Sequence, residues 1–456
     1  MKKIIVLLLL MTLPGFAQNT IAEREKCQAF FEKYEEQVKS RDYNDAKASL
    51  KVLQKECPKY DAKVYTYAED IYNYEIEASR TEENRTAYID TLITLYDSYE
   101  KNFPGNGSVV RKALLQKKHD LASDEKVYTT LNTFFTTHRD RFTDYDALQT
   151  YFMLYLDQYE AESNTISQKD FVEKYAAIAA QVVYAKNKLE QEERMLRQKQ
   201  ESEMLTDSEK QILADAKPTL SALDAVADNI SIMASKHFSC SILSTYYSKM
   251  YEDNKQNKEW LSAVANVLYS NKCYDSEILY NAALAEYNLN PTSQSANRLG
   301  TILIRRNKTA EAVGYFEKSA EMEPDAVRKS EQYYTIAAVF LNTDKAKAKQ
   351  YALKAAAANP ANGKPYIMLA EMYSGVTGEC GLSDFQRKAL LYLSLEMAGK
   401  AAAAEPKYKA TADVLKERYA EKLPSKKEAK AAGYSKGDTI TYGCWINESL
   451  KLPKMQ

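Results

Sequence analysis

The residues with most chemistry to offer are six cysteines, Cys27, Cys57, Cys240, Cys273, Cys380 and Cys444, which can pair in fifteen ways if the chain meets an oxidising compartment. No Cys-x-x-Cys spacing occurs, so neither a dithiol redox motif nor a thiolate zinc site is indicated. The three histidines, His119, His138 and His237, stand apart from one another and from the His-Glu-x-x-His spacing that metal-assisted hydrolysis uses. No Gly-x-Ser-x-Gly elbow is present. Gly105-Asn106-Gly107-Ser108 follows Pro104 and reads as a turn rather than a phosphate-cradling loop. Pairs of carboxylates are abundant, but on charged helices they form solvated faces. The expectation is a chain without catalytic residues, metal or cofactor.

The 35 tyrosines are the other unusual feature, set against only two tryptophans. A phenol ring with a polar tip suits the seam between packed helices, and Tyr333, Tyr366 and Tyr373 fall at such positions. The same rings, if exposed along a groove, could stack on sugars.

Lys2 and Lys3 precede an apolar run from Ile4 to Leu13 that breaks at Pro14, with Gly15 and Ala17 at the spacing a signal peptidase requires. Residues 1–17 are therefore expected to be a signal peptide, cleaved after Ala17. The run is shorter than the roughly 20 residues a membrane span needs, and no later segment is long and apolar enough. The first cysteine, Cys27, stands too far on to carry a lipid, so a soluble exported protein is expected. The 62 basic and 63 acidic residues give a formal net charge of −1, and losing Lys2 and Lys3 leaves it near −3. Such balance argues against a nucleic-acid binder. With 13 glycines and 11 prolines the chain is too poorly punctuated for many short strands, so helix is the default.

Those helices repeat. Between Ser293 and Asp325, Ala296, Leu299, Gly300 and Leu303 mark a first helix, and Ala312, Phe316 and Ser319 a second that Pro324 stops. The spacing recurs as Tyr333, Ile336, Ala337 and Phe340 with Ala348, Ala352, Ala355 and Pro360, and again as Tyr366, Leu369, Ala370 and Tyr373 with Ser394, Ala398, Ala401 and Pro406. About a dozen residues, Ser374 to Arg387, are inserted in the third unit. Trp260, Ala263, Val264 and Val267 with Ser276, Tyr280 and Ala283 match more loosely. Farther upstream, the stretch from Arg41 to Pro58 reads as a turn and second helix. Val64 to Ile71 then reads as a first helix and Tyr88 to Pro104 as its overlong partner. From Val109 to Tyr184 amphipathic helices follow without a clean period.

This pattern resembles the tetratricopeptide repeat family. With the ending Gly437 to Ile446, the layout is similar to exported members from Gram-negative, Bacteroidetes-like bacteria. The resemblance implies an all-α solenoid of helical hairpins with a ligand-facing groove on the first helices. It places Gln294, Asn297, Thr301 and Arg305 in that groove, then Glu331, Tyr334 and Asn342, then Lys364 and Glu371. The lysine and asparagine that some members use to grip a C-terminal carboxylate are not both present: Asn297 occupies one position, with no lysine beside it.

Hairpin geometry also narrows the cysteine pairing, because Cys27 early in a first helix and Cys57 late in a second come together in an antiparallel pair. Cys240 and Cys273 are separated by a similar interval. Cys380 in the insertion and Cys444 in the tail would tie the two together. Loops of about 30 residues each contribute on the order of 3 kcal/mol, and bridges near the ends of an array oppose fraying. The alternative is buried free thiols.

The expected division is a degenerate helical-repeat region over 18–205, a C-terminal array over 206–424 with its best repeats at 293–406, and a capping helix with a short extended tail over 425–456. Leu189 to Lys210, rich in paired charges, suits a solvated helix, and Lys217-Pro218 is the expected hinge. Lys426 to Ala432 reads as a short helix and Thr439 to Trp445 as a single strand. The functional expectation is a non-enzymatic scaffold, periplasmic or associated with the outer membrane, that holds protein partners of the cell envelope. The alternative is a glycan binder that uses groove tyrosines. A starch-utilisation type of outer-membrane glycan-binding family also contains tetratricopeptide hairpins, but this chain lacks that family's lipid-anchoring cysteine.

Overall fold

A computed structural model describes residues 15–455, with side chains from residue 23 onward. The leader expected over residues 1–17 falls largely outside them. Among the described residues no helix is long and apolar enough to cross a membrane. The chain divides into two compact units, 1–238 and 239–456.

The first unit holds α1 (Gly15–Lys39), α2 (Tyr43–Glu56), α3 (Lys63–Ala78), α4 (Glu82–Asn102), α5 (Ser108–Lys118), α6 (Asp124–Thr137), α7 (Tyr145–Glu160), α8 (Gln168–Ser202) and α9 (Asp207–Ala234). Successive helices pack in pairs, α1 on α2, α3 on α4, α5 on α6 and α8 on α9. Serine, threonine and aspartate set the starts: Asp42, Thr81, Ser123, Asp144 and Ser167 each accept a backbone N–H of the first turn. Thr206 and Glu209 form a reciprocal capping box at α9. Leu189 to Ser202 continues α8, and two ion pairs, Lys186 with Asp224 and Lys199 with Glu209, tie that long helix to α9.

One expectation changes here. Pro218 is not a hinge; it sits inside α9 with its ring exposed, where water can satisfy the carbonyl its missing N–H leaves bare. The first compact unit extends to Phe238, and within it α9 packs on both α7 and α8.

The second unit comprises α10 (Cys240–Ser248), α11 (Tyr251–Asn254), α12 (Lys258–Ser270), α13 (Glu277–Leu289), α14 (Ser293–Arg305), α15 (Thr309–Met322), α16 (Ala326–Phe340), α17 (Lys345–Ala358), α18 (Lys364–Ser374), α19 (Asp384–Ala404), α20 (Lys409–Ala420) and α21 (Lys426–Ala431), followed by β1 (Thr439–Tyr442) and β2 (Glu448–Lys451). Four hairpins follow one another, α12 with α13, α14 with α15, α16 with α17 and α18 with α19, and each also touches the next. The chain is therefore an all-α stack of helical hairpins, as its repeats imply.

The crossing at α14 and α15 shows why small residues recur. A Cβ on Gly300 would lie 2.8 Å from the ring of Phe316, so only glycine lets that ring lie against the helix backbone. Ala296, Leu299, Ala312 and Phe316 are buried around it. Turns between paired helices bend through left-handed residues that are not glycine, Arg41 (φ 59°), Lys272 (φ 57°) and Asn307 (φ 59°). The inserted stretch after α18 forms a tight turn at Glu379–Gly381, and Ser383 with Gln386 then caps an early start of α19.

The C-terminal tail is a hairpin rather than a single strand. β1 pairs antiparallel with β2, Ile440 opposite Leu450 and Tyr442 opposite Glu448, and Cys444 and Asn447 adopt the positive φ its turn requires. Lys349, buried in α17, holds this tail: its ammonium donates to the carbonyl of Ile446 and pairs with Glu448 at 2.7 Å. The indole of Trp445 stacks on Tyr373.

Candidate functional site on the first helices of the second unit

The groove residues expected from the repeats spread over α14, α16 and α18, and the structure links the last two groups. Glu331 lies in the second turn of α16 and Lys364 opens α18, and they meet in a bidentate ion pair, with Lys364 Nζ at 2.9 and 2.8 Å from the two carboxylate oxygens. The ammonium also stands 5.9 Å from the centre of the Tyr334 ring. This contact is fixed from below. Ser330, the neighbour of Glu331, is fully buried and donates to the carbonyl of Ala355, while Asn362, two residues before Lys364, donates to Ser330 Oγ at 2.9 Å. A buried polar relay thus sets the spacing of two consecutive first helices.

The next residues in the row come from the turn between α19 and α20. The Tyr408 ring lies so close to the Gly363 backbone that a Cβ there would approach within 2.4 Å of it, and Glu405 accepts the Gly363 N–H at 3.0 Å. Lys407 pairs with that same Glu405. Burial pushes the Tyr334 hydroxyl above its ordinary range, against the pull of Lys364. The hydrogen bond to Glu331 raises the Lys364 ammonium, so it stays charged. Glu371 is exposed on the same helix as Lys364. The patch presents two phenol rings and two cations, each cation already answered by a carboxylate. Such a surface suits polar and aromatic contacts with a partner better than capture of a bare anion.

On α14 the expected residues stand more separately. Gln294 and Arg305 are exposed, Asn297 and Thr301 half-buried, and Thr301 Oγ1 donates back to the Asn297 carbonyl. Arg305 lies over the ring of Tyr274 at 5.4 Å. Asn342 lies past the end of α16, exposed in the turn before α17, because the helix stops at Phe340.

One buried element escaped the sequence reading. Arg298, 5% exposed, pairs with Glu286, 8% exposed, and donates to Asn266 Oδ1 at 2.9 Å, joining α14 to α13 and α12. Arg298 lies on the helix face that packs inward beside Leu299, and charge alone places it outside. Serines that the repeat pattern marks as small also carry hydrogen bonds: Ser319 donates to the Ser293 carbonyl at 2.7 Å and Ser394 to that of Ala370 at 2.7 Å.

The six cysteines form three bridges. Cys27 joins Cys57 across α1 and α2, Cys240 joins Cys273 from the start of α10 to the turn after α12, and Cys380 joins Cys444 from the insertion to the tail. The histidines remain apart. His138 stacks on Phe134, and His237 stands 2.9 Å from Glu160, edge-on to Tyr159 and Phe171. Among the described residues no cluster of three metal-binding side chains occurs.

Most tyrosines close seams. Tyr65 stacks on Tyr99 at 4.9 Å, Tyr287 meets Tyr315 edge-on under Lys318, and Tyr351 sits between Tyr333 and Phe340 under Lys354. Among the described residues the markedly exposed tyrosines are Tyr74 (54%) and Tyr184 (37%), both in the first unit and away from the expected groove positions. On the first-helix face of the second unit the rings of Tyr334 and Tyr408 are half-buried.

No protein-family model matches the chain, and no curated protein is similar to it by sequence. Among solved structures it is similar to the crystal structure of the yeast Tom70, at 14% identity, over 90% of this chain and 83% of that one, with a TM-score of 0.23. At that score the description of the fold rests on this chain's own helix pairing.

Proposed function

We propose that the protein is a non-enzymatic scaffold of the cell envelope that holds protein partners on the first-helix face of its second unit. The observation that carries this reading is the joined row Glu331, Lys364, Tyr334 and Tyr408. Side chains from successive hairpins meet at the surface, over a buried serine and asparagine relay that fixes their spacing. A face built across repeats, with phenols and paired charges at its surface, can recognise an extended or folded polypeptide through many modest contacts. The leader-like residues 1–17 and three bridged cysteine pairs support an exported location.

The test is a triple variant, Asn297→Ala, Arg305→Ala and Tyr334→Ala, compared with the unaltered protein by affinity capture from envelope extracts of the native cells and by thermal melting. The reading expects a specific protein partner whose affinity falls about tenfold or more in the variant while melting is little changed. Equal retention by both, or no protein partner under any growth condition, contradicts it. Retention of the unaltered protein by immobilised polysaccharide without any protein partner points to glycan binding instead.

A further inference from the structure

The stack of hairpins ends on a first helix that has no full second helix to follow it. α20 packs on α19, and its Leu415 is buried against Ala370 and Ala398, the place a fifth first helix takes. In the hairpins before it the second helix packs on its own first helix, and α15 and α17 each also touch the second helix before them, α15 through Tyr315 on Tyr287. Tyr351 of α17 donates to Glu317 of α15. The equivalent seat beside α20 is the trough between α19 and α20.

The chain fills only part of this trough. After α20 it makes the six-residue α21, pinned near the start of α19 by Lys388 with Glu428 and by Tyr434 stacked on Phe385. The β-hairpin then follows α19, with the Tyr442 hydroxyl donating to the Gln386 carbonyl, and Leu450 and Pro453 line part of the trough. What remains open encloses about 770 Å³. Its helical walls present Gly399, Ala402 and Ala403 from α19 and Ala412 from α20. A Cβ on Gly399 would meet nothing within 4 Å, so the chain's own packing does not require a glycine there. Mid-helix glycine costs about 1 kcal/mol relative to alanine.

Charge on the rim selects the occupant. Lys409, Lys416 and Lys451 border the trough with two carboxylates, Glu396 and Asp413; none of the three lysines has a carboxylate within ion-pair distance among the described residues, and Glu396 is engaged by Lys400 at 2.8 Å, so the rim carries a cationic excess. A second copy docking symmetrically would set two rims of the same net charge against each other. Walls made of two helices offer ridges at helical spacing, into which another helix fits. We infer that this trough is a second interaction site, separate from the first-helix face, that receives an amphipathic helix of a partner protein with a small apolar stripe and acidic flanks, completing the last hairpin.

The test uses the full chain and two synthetic helical peptides that share one alanine and leucine stripe, one flanked by glutamates and one by lysines. Fluorescence anisotropy at low and high salt reads the binding. The glutamate-flanked peptide is expected to bind, to weaken at high salt, and to lose about tenfold in affinity in Gly399→Leu, which fills the trough, and in Lys409→Glu with Lys416→Glu. Melting of the Gly399→Leu chain, expected at or above the original temperature, shows that the loss is not unfolding. Equal binding of both peptides, binding indifferent to Gly399→Leu, or no binding overturns the inference. So does sedimentation showing a dimer of the chain that Gly399→Leu dissolves, since the occupant would then be a second copy.

Discussion

Both units use the helical hairpin and both place rings in some of its seams, but they differ in what fills the helix crossings. In the second, helices cross over small residues: Gly300 against Phe316, with Ala312, Ala352, Ala355, Ala398 and Ala401 buried at the equivalent crossings. In the first, rings crowd the crossings: Tyr65 and Tyr99 stack and both meet Phe103 edge-on, and Phe171 touches Phe152, Tyr155 and Tyr159. A small residue at a crossing is a constraint on backbone distance, so it must recur at a fixed place in each unit. A ring can reach a seam from several places along its helix, so the period dissolves although the architecture persists.

The contrast can be broken at its strongest point in the first unit. Phe171→Ala removes a fully buried ring and should cost about 3–5 kcal/mol. Hydrogen exchange should show the lost protection in α7, α8 and α9. Similar loss throughout α14 to α17 would mean that the units are not separately cooperative. A comparable loss, about 3–5 kcal/mol, is expected in the second unit from Arg298→Met alone, which leaves Glu286 buried without its partner. Arg298→Met with Glu286→Leu should recover most of it, as chemical denaturation of the single and double variants would reveal.

Gly300 and Gly399 of the second unit sharpen the same contrast at a smaller scale. Gly300→Ala drives a methyl into the Phe316 ring and should destabilise by about 1–3 kcal/mol, with Phe316→Leu relieving it. Gly399→Ala, facing open space, should instead stabilise by up to about 1 kcal/mol. If both substitutions stabilise, the close crossing at Gly300 is not the constraint claimed for it. In the ring-filled seams the polar tips matter less: Tyr65→Phe gives up a hydrogen bond to the Pro58 carbonyl and one from Asn102, worth roughly 0.5–1.5 kcal/mol each in melting experiments.

The smallest effect concerns pH. Lys388 and the capping contacts of Ser425 hold the Glu428 carboxyl down at about 2, below its ordinary value near 4.5. A depressed carboxylate contributes stability above its unfolded value and loses it as pH falls toward the folded one. The fastening of α21 should therefore weaken between about pH 4.5 and 2, and Glu428→Gln should flatten that part of the profile, as exchange rates in residues 426–431 would show.

Much of the second unit was legible in the sequence because its constraints are local and periodic. Ala296, Leu299, Gly300 and Phe316 each carry a packing reason at a fixed spacing, and Pro324, Pro360 and Pro406 mark the stops. What the sequence hid depends on distant partners. The exposed side of α9 tolerates Pro218, which local rules read as a break. Glu448 finds its place opposite Tyr442 only through a turn made by Cys444 and Asn447, neither of them glycine. Helix turns at Arg41 and Lys272 are likewise left-handed without the residue that announces such a turn. At the candidate site Glu331, Tyr334 and Lys364 could be named from their repeat positions. That they meet, and that Ser330 and Asn362 set their distance, depends on how adjacent hairpins dock.

The most direct test of the first-helix face as the working surface is site-specific photocrosslinking in the cells that make the protein. A crosslinking residue would replace Gln294, Asn297 or Glu371 on that face and, as controls, the exposed Met322 or Leu353 on second helices. Discrete crosslinked protein bands at the first three positions, and none at the controls, are the expected result. Equal crosslinking at Met322 and Leu353, or none at Gln294, Asn297 and Glu371, would contradict it.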